Sequence, residues 1–301
     1  MKKETLLKNL SVPKGRVDVV IDTDAQNEVD DQFAISYLLR STEKLNTVAL
    51  YAAPYSQPGK VSVAEGMERS YDEIMKLLTL AGEKKPVLRG SREYMTARGV
   101  PVISDAANDL CERAKKYSPE HPLYVLAIGA LTNIASAILM DDAIKENCVI
   151  VWLGGHGHDL GWTDEFNMRQ DLYATLTVMR SGAPFIQIPC ETVANTFSIS
   201  APELKEYLCG KNPLADYLAK NVLSAQKNCI DTNWARVLWD VCAVGWLLND
   251  DDRFMLWRVM PILTPSNELK YECTDENAMG GYVFWINRNA LMTDLIKKLT
   301  R

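Results

Sequence analysis

Five acidic residues lie within ten positions of one another near the amino terminus, in the segment VVIDTDAQNEVDDQFAI. They are Asp22, Asp24, Glu28, Asp30 and Asp31. Carboxylates this close together repel one another and resist removal from water unless a positive charge lies between them. Their oxygen atoms suit a hard cation such as Ca²⁺ or Mg²⁺ better than zinc. The segment therefore predicts a metal site, with a solvated turn and a charge-capped helix start as the alternative.

Two histidines form a second group of side chains that could do chemistry, in the segment GGHGHDLGW. His156 and His158 follow an apolar run that ends at Leu153, and the chain has only three histidines in all. An imidazole can donate a proton near neutral pH, so both are candidate catalytic acids for a leaving group, with a structural role as the alternative. A zinc site is not expected, because no third soft ligand lies nearby. His121 precedes a predicted strand and is expected at the surface.

Strands and helices alternate along the chain and would position these residues. Short apolar runs predict strands at 16–22, 47–53, 86–88, 123–129, 148–155, 184–189, 259–263 and 282–286. Helical spacing predicts helices after Asp31, at 65–81, 105–117 and 131–140, from Asp171 to Gly182, through most of 201–249, and from Asn289. This order predicts one α/β domain over 1–301, a doubly wound and mostly parallel central sheet with helices on both faces.

Three of the loops that leave these strands carry most of the polar residues of interest. They follow Ile21, Ile128 and Leu153, each near the carboxyl end of a predicted strand. Ligands of doubly wound sheets bind outside the carboxyl ends of the strands. We therefore expect the three loops to converge on one site.

The overall composition narrows the possible partners and compartments. The formal net charge is −6, and no basic run with interleaved aromatic residues is present, which argues against a nucleic-acid partner but not against a free nucleoside. The seven scattered cysteines show no CxxC spacing and predict unpaired thiols in a reducing compartment. No apolar run is long enough to span a membrane, and the amino terminus does not resemble a signal peptide. We expect a cytoplasmic protein.

Four segments, spread over most of the chain, match the motifs of one enzyme family in the right order. Asp22-Thr23-Asp24 with Asp30-Asp31 is similar to the motif DTDPGxDD, and AIGALTNIASAI at 127–138 is similar to GPLTNIA. Glu165-Phe166-Asn167 with Asp171 is similar to EFNxxxDPEA. Trp239-Asp240 with Ala243-Val244 is similar to a His/Trp-Asp-xx-Ala-Val motif. The chain thus resembles the nucleoside hydrolases, the inosine–uridine-preferring N-ribosyl hydrolases. The resemblance implies hydrolysis of the N-glycosidic bond of ribonucleosides to free base and ribose, a place in nucleoside metabolism such as purine salvage, and a homodimer or homotetramer.

The resemblance also implies a metal and its ligands. Ca²⁺ would be bound by Asp24, Asp31, the main-chain carbonyl of Thr132 and Asp240. Asp24 would in addition be the general base for a water molecule held by the ion. An oxygen-rich ligand set of this kind favours Ca²⁺ over six-coordinate Mg²⁺.

The same resemblance assigns residues to the ribose and to the base. Asp30, Glu165 and Asn167 would hold the ribose hydroxyls. Trp239 stands where a purine-preferring class of the family has Trp, so stacking on the indole favours purines. The alternative for Trp239 is a place in the core of an aromatic-rich helix.

Two departures from the family pattern leave the substrate open. Five residues separate Asp24 from Asp30, two more than usual, and Asn27 or Glu28 could enter the metal shell or remain ordinary turn residues. The family's Asn after the second strand is replaced by 53–56, and Asn27 is the candidate substitute contact to the sugar. The remaining alternatives are hydrolysis of a non-standard riboside and a Ca²⁺-dependent riboside- or sugar-binding protein without turnover. A dehalogenase-like phosphatase is not expected, because Gln26 stands where that family needs Thr or Val.

Overall fold

A mostly parallel sheet of eight strands forms the centre of the molecule, which we describe from a computed structural model over residues 1–226, 234–273 and 278–301. The strands of all sheets in chain order are β1 (Val17–Thr23), β2 (Leu45–Ala52), β3 (Val87–Arg89), β4 (Leu123–Ala127), β5 (Cys148–Leu153), β6 (Phe185–Ile188), β7 (Ser198–Ser200), β8 (Ala235–Val237), β9 (Met255–Pro261), β10 (Thr264–Pro265), β11 (Tyr271–Glu272) and β12 (Met279–Ile286). The α-helices are α1 (Lys3–Asn9), α2 (Asp30–Leu39), α3 (Val63–Ala81), α4 (Asp105–Ala114), α5 (Thr132–Met140), α6 (Ala143–Asn147), α7 (Phe166–Gln170), α8 (Leu172–Met179), α9 (Ala201–Tyr207), α10 (Pro213–Ala225), α11 (Val241–Leu247) and α12 (Arg288–Leu299).

The strand order of the central sheet is β3-β2-β1-β4-β5-β6-β12-β9. All neighbouring strands run parallel except β9, which pairs antiparallel with β12 at the edge. The order reverses between β1 and β4, and β1 therefore lies in the middle of the sheet with a partner on each side. In a doubly wound sheet, the crevice that binds ligands opens at such a reversal.

Two hydrophobic cores cover the two faces of the sheet, because neighbouring residues of a strand point to opposite faces. Val19 and Ile21 of β1 pack with α2, α3, α11 and α12 on one face. Val20 points the other way and packs with α4, α5 and α8. The largest fully buried side chains include Trp152 and Trp246, one in each core.

The predicted fold class is confirmed, and most predicted elements are present within a few residues of their predicted ends. The helical region predicted over most of 201–249 is interrupted by β8, which is extended and pairs antiparallel with β7. The strand predicted at 259–263 begins earlier, at Met255. None of the described segments forms a helix that is both long enough and apolar enough to cross a membrane.

The cysteines of the described residues carry free thiols, as the sequence predicts. Four of them are buried, and they are Cys111, Cys148, Cys190 and Cys242. The seventh cysteine, Cys229, lies outside the described residues.

Candidate functional site

A cavity of about 210 Å³ lies at the carboxyl ends of β1, β4 and β5, where the three predicted loops converge. The loop after β6 and the start of α11 complete its wall. Of the residues singled out in the sequence, the cavity is lined by Asp24, Asn27, Glu28, Asp30, Asp31, His156, Glu165, Asn167, Trp239 and Asp240. The convergence of the loops follows from the parallel sheet, whose strands end at one edge.

Three carboxylates form a close group in this cavity. Asp30, Asp31 and Asp240 each offer an oxygen atom, and these atoms lie within 4.8 Å of one another. The hydroxyl of Thr23 donates to Oδ1 of Asp31 at 2.6 Å, and the backbone N–H of Asp240 donates to Oδ2 of Asp30 at 3.4 Å. Oδ1 of Asp30 is buried and has no hydrogen-bond partner among the described residues. A buried carboxylate oxygen without a donor is one that a cation would satisfy.

The local structure explains how these acidic side chains can lie so close together. β1 ends at Thr23, and α2 begins with Asp30 and Asp31, so both side chains lie at the positive end of a helix dipole. Asp240 immediately precedes α11, which packs against α2. Two helix starts therefore face one another across the carboxylates.

Burial and mutual repulsion raise the pKa values of the acids in the cavity. Burial is the largest cause for Asp24, Asp31 and Asp240, and the neighbouring carboxylates add to it, so the pKa of each is well above its usual range. Burial and Glu28 raise the pKa of Asp30 to about 7. Within residues 1–226, 234–273 and 278–301, no lysine, arginine or histidine forms a salt bridge with any of these four acids. Arg236 lowers the pKa of Asp30 without forming a salt bridge to it, and the donor set of closely spaced oxygen atoms fits a hard divalent cation.

Asp24 lines the same cavity but lies outside the close group of three. Its side chain is 3% exposed and packs against Gly129, which follows β4. A Cβ atom at position 129 would lie 2.9 Å from Oδ1 of Asp24, so a larger residue there would displace the carboxylate. The five-residue loop after Asp24 begins with a turn, in which the N–H of Asn27 donates to the carbonyl of Asp24 at 2.8 Å.

The residues predicted to hold the sugar are fixed by backbone contacts. The carboxylate of Glu165 accepts hydrogen bonds from the N–H groups of Gly155, Asn167 and Met168 at 2.8–2.9 Å and caps α7. The side-chain amide of Asn167 donates to the carbonyl of Leu153 at 3.1 Å. These contacts orient both side chains before any ligand arrives.

Asn27 connects the lengthened first loop to the loop after β2. Its side-chain oxygen accepts a hydrogen bond from the amide of Gln57 at 3.1 Å. The loop at 53–56 does not line the cavity, whereas Asn27 does. The arrangement is compatible with Asn27 in the place of the missing family Asn.

The two histidines of the GGHGH segment lie in different surroundings. His156 lines the cavity, and its Nδ1 accepts a hydrogen bond from the N–H of Glu191 at 3.4 Å, which leaves the proton of the neutral ring on Nε2. His158 does not reach this cavity. Its ring packs on Tyr282 with centroids 4.3 Å apart and bonds to Gln187 through Nε2, and burial lowers its pKa. Alternate residues of this loop point in opposite directions, and the structure brings only His156 to the site.

The structure also does not bring Thr132 to the cavity. Thr132 is the first residue of α5, its hydroxyl donates to Asp171 at 2.8 Å, and its carbonyl accepts from the hydroxyl of Ser136 at 2.7 Å. Ile128, just after β4, is the residue of this segment that lines the cavity. The sequence motif identified the right segment, but it does not indicate which of its carbonyls faces the carboxylates.

Trp239 forms part of the cavity wall, and an ion pair lies behind it. The guanidinium of Arg236 lies 5.5 Å from the centroid of the indole and bonds to Glu28 at 2.7 Å. Nε1 of Trp239 is buried without a partner in the part of the chain that the structure describes. The sequence reading missed Arg236, Cys190 and Glu191, since none of them belongs to a recognisable motif.

Comparisons with known proteins agree on one family. Residues 19–294 match the model of the family described as "Inosine-uridine preferring nucleoside hydrolase". The chain is 27% identical over 227 residues to "Probable uridine nucleosidase 2" of Arabidopsis thaliana, a stretch that covers 68% of each protein. Its fold is similar to that of "Plant nucleoside hydrolase - PpNRh1 enzyme", with a TM-score of 0.73, 21% identity and coverage of 94% and 99% of the two chains. It is also similar to that of "Purine-Preferring Ribonucleoside Hydrolase from Gardnerella vaginalis", with a TM-score of 0.73, 20% identity and coverage of 94% and 98%.

Proposed function

Because this chain belongs to the inosine-uridine preferring nucleoside hydrolase family and is therefore an N-glycosidase that acts on ribonucleosides, we propose that its reaction depends on Ca²⁺ and on Asp24 as general base. The observation that carries this proposal is the buried group of Asp30, Asp31 and Asp240, whose carboxylates form no salt bridge among the residues that the structure describes. A divalent cation would neutralise that charge.

We assign the cation to Asp24, Asp31, Asp240 and the main-chain carbonyl of Ile128, which replaces Thr132 in the set. The support for Ile128 is its place in the cavity wall at the end of β4. Carboxylates, a carbonyl and the ribose diol are oxygen donors of the number and flexibility that Ca²⁺ accepts and Mg²⁺ resists. When bound, the cation would lower the pKa of a water molecule and polarise the sugar hydroxyls.

Asp24 removes the proton from the attacking water in this proposal. The water oxygen forms a bond to C1′ of the ribose as the N-glycosidic bond breaks, and the electron pair of that bond leaves with the base. Burial raises the pKa of Asp24, and a cation beside it counters this effect and keeps the carboxylate ionised. The cation and the base therefore depend on one another.

Asp30, Glu165 and Asn167 bind the ribose hydroxyls, with Asn27 as an additional contact from the lengthened loop. The support is that these side chains line one cavity and that Glu165 and Asn167 are held by backbone contacts. Positive charge develops on the sugar as the bond breaks, and carboxylates already oriented around it stabilise that charge without reorganising.

His156 acts on the leaving group by donating a hydrogen bond from Nε2–H to the departing base, and Trp239 stacks on that base. Because Nδ1 accepts from the N–H of Glu191, the single proton of the neutral ring is on Nε2, where it stabilises the negative charge that develops on the base. The indole of Trp239 offers the larger contact to a two-ring base, so we propose that purines are preferred over pyrimidines. The unpaired thiols of the described cysteines favour a cytoplasmic location, and we retain a homo-oligomer and a role in purine salvage as part of the proposal.

The first experiment measures the release of reducing sugar from a panel of purine and pyrimidine ribonucleosides, with and without a chelator. We expect chelator-sensitive release that Ca²⁺ restores and that is fastest for purines. Restoration by Mg²⁺ but not Ca²⁺ would contradict the assignment of the metal.

A second candidate function is a riboside-binding protein without turnover, and one observation favours it. Asp24 lies outside the close group of carboxylates, after a loop two residues longer than usual. Release from the unmodified chain separates the two functions, and Asp24→Asn assayed at saturating Ca²⁺ then tests whether Asp24 acts as base in addition to holding the cation. Tight Ca²⁺ binding by the unmodified chain without release from any nucleoside would favour the binding protein.

A further inference from the structure

We propose that Tyr271 is a positioning residue, whose hydroxyl holds the loop Gly154–His158 and thereby orients His156 and Glu165 in the cavity. Tyr271 belongs to β11, in the small β10–β11 sheet behind this loop, and it does not line the cavity itself. The inference rests on the proposed function for the roles of His156 and Glu165. It goes beyond that function in giving the β10–β11 segment a part in catalysis.

The hydroxyl of Tyr271 connects the loop to the central sheet. It donates to the carbonyl of His156 at 2.7 Å and accepts from the side-chain amide of Gln187 at 2.9 Å. Gln187, on β6, is 3% exposed and also donates to the carbonyl of Gly154 at 3.0 Å. Tyr271 and Gln187 together therefore hold two carbonyls of the loop, those of Gly154 and His156.

A second contact from the same segment fixes the other side of His156. The N–H of His156 donates to the hydroxyl of Thr163 at 3.1 Å, and the N–H of Thr163 donates to the carbonyl of Leu269 at 2.6 Å. Thr163 is fully buried. The carbonyl of His156 is thus bound directly by Tyr271, and its N–H is bound through Thr163 to Leu269.

Gly155 links this support to the carboxylate of Glu165. Its N–H donates to Oε2 of Glu165 at 2.9 Å, and its φ of +70° is a conformation that favours glycine. A Cβ atom at position 155 would lie 2.4 Å from the hydroxyl of Tyr271. The loop therefore takes a shape that only glycine allows and that brings its backbone against Tyr271.

Removal of the Tyr271 hydroxyl would leave the carbonyl of His156 buried without a donor. The loop would then move toward another partner and carry the imidazole and the N–H that orients Glu165 with it. Burial raises the pKa of Tyr271 above its usual value, so the hydroxyl remains protonated and able to donate at working pH. A misplacement of about 1 Å in a catalytic group lowers a rate by about 100-fold.

The test compares Tyr271→Phe with Tyr51→Phe. Tyr51 is a fully buried tyrosine in β2, whose hydroxyl donates to Asp109 at 2.6 Å and which does not line the cavity. Both variants lose one buried hydroxyl and keep the ring. We expect Tyr271→Phe to lower kcat by about 10- to 100-fold with KM changed by less than about 3-fold, and Tyr51→Phe to leave both unchanged.

A substrate with a better leaving group separates the two routes of action. An aryl riboside whose phenolate leaves without protonation does not need His156. If Tyr271 acts through His156, the loss of kcat in Tyr271→Phe shrinks on that substrate, and if it acts through Glu165, the loss persists. Equal kcat for both variants and the unmodified chain on every substrate overturns the inference.

An NMR measurement tests the inference even if no nucleoside proves to be a substrate. The chain has only three histidines, so the ring nitrogen signals of His156 can be assigned with His156→Gln. We expect the unmodified chain and Tyr51→Phe to show His156 protonated on Nε2 and Tyr271→Phe to show a mixture of tautomers. If the unmodified chain is active and Tyr271→Phe changes neither the His156 signal nor kcat, the positioning role is refuted and the proposed function stands. If the unmodified chain is inactive but Tyr271→Phe still shifts the His156 signal, only the proposed function is refuted.

Discussion

Without the cation, the protein should lose stability as the pH rises. The raised pKa of Asp30 gives the size of this loss. The pKa of this carboxyl is raised from 3.8 to about 7 in the folded chain without metal. Between these two values the folded state binds a proton that the unfolded state has released. Stability is therefore lost as the pH rises from about 4 to about 7, and the loss stays constant above that range.

The expected magnitude follows from about 1.4 kcal/mol for each pH unit that separates the two pKa values. Asp30 alone accounts for about 4 kcal/mol over the whole range, and for about 2 kcal/mol between pH 5.5 and pH 8. The pKa values of Asp24, Asp31 and Asp240 are raised for the same reasons, so the real effect is at least of this order. Since domains are stable by about 5–15 kcal/mol, this is a substantial fraction.

The assay is urea unfolding followed by tryptophan fluorescence, at pH 5.5 and pH 8, with excess Ca²⁺ or with chelator. We expect the stabilisation by Ca²⁺ to be larger at pH 8 by about 2 kcal/mol or more, because the cation must displace protons at the lower pH. Asp30→Asn is the matched control and should reduce that difference. A Ca²⁺ effect of equal size at both pH values would refute the electrostatic account of the carboxylate group.

Four further substitutions test separate parts of the site. Asp24→Asn should weaken Ca²⁺ binding and still lower kcat by about 10²–10⁴-fold at saturating Ca²⁺, because Asp24 is both a ligand and the base, and near-normal turnover would show that another group is the base. His156→Gln should lower kcat by about 10²-fold or more on nucleosides and far less on an aryl riboside, and an equal loss on both would contradict a role as acid. Trp239→Ala should weaken kcat/KM for purines by about 5- to 150-fold, in line with about 1–3 kcal/mol for base stacking, and a smaller loss for purines than for pyrimidines would exclude the proposed preference. Asp22→Asn should raise stability of the metal-free chain at pH 8 by up to about 4 kcal/mol and have no effect near pH 4, since burial raises the pKa of Asp22 to about 7, and urea unfolding with chelator present measures it.

The fold and most of the cavity were predictable from local patterns. The runs that became β1, β4 and β5 are short, apolar and rich in β-branched residues, and the rule for parallel sheets then places the loops after them together. Asp171 was readable as a helix cap, and its carboxylate accepts the N–H of Ala174 at 2.9 Å.

The structure differs from the sequence expectations where contacts distant in sequence decide the path of the backbone. β7 and β8 are three residues long and pair with each other across α9 and α10, so neither has a local signal that would distinguish it from helix ends. Thr132 was chosen within a motif whose backbone orientation depends on where α5 begins. The glycine before His158 can adopt many φ/ψ values, so the sequence does not predict which way the His158 side chain points.

The order in which the site is completed during synthesis follows from the position of its parts along the chain. Asp31 and Asp240 are 209 positions apart, and at about 5–20 residues per second Asp240 leaves the ribosome roughly 10–40 seconds after Asp31. Until then, β1 and α2 present their acids without the start of α11 to complete the set. If the proposed cation is bound, its uptake by a nascent chain marks the arrival of the last fifth of the chain, and chains stalled before position 240 should emerge without the ion.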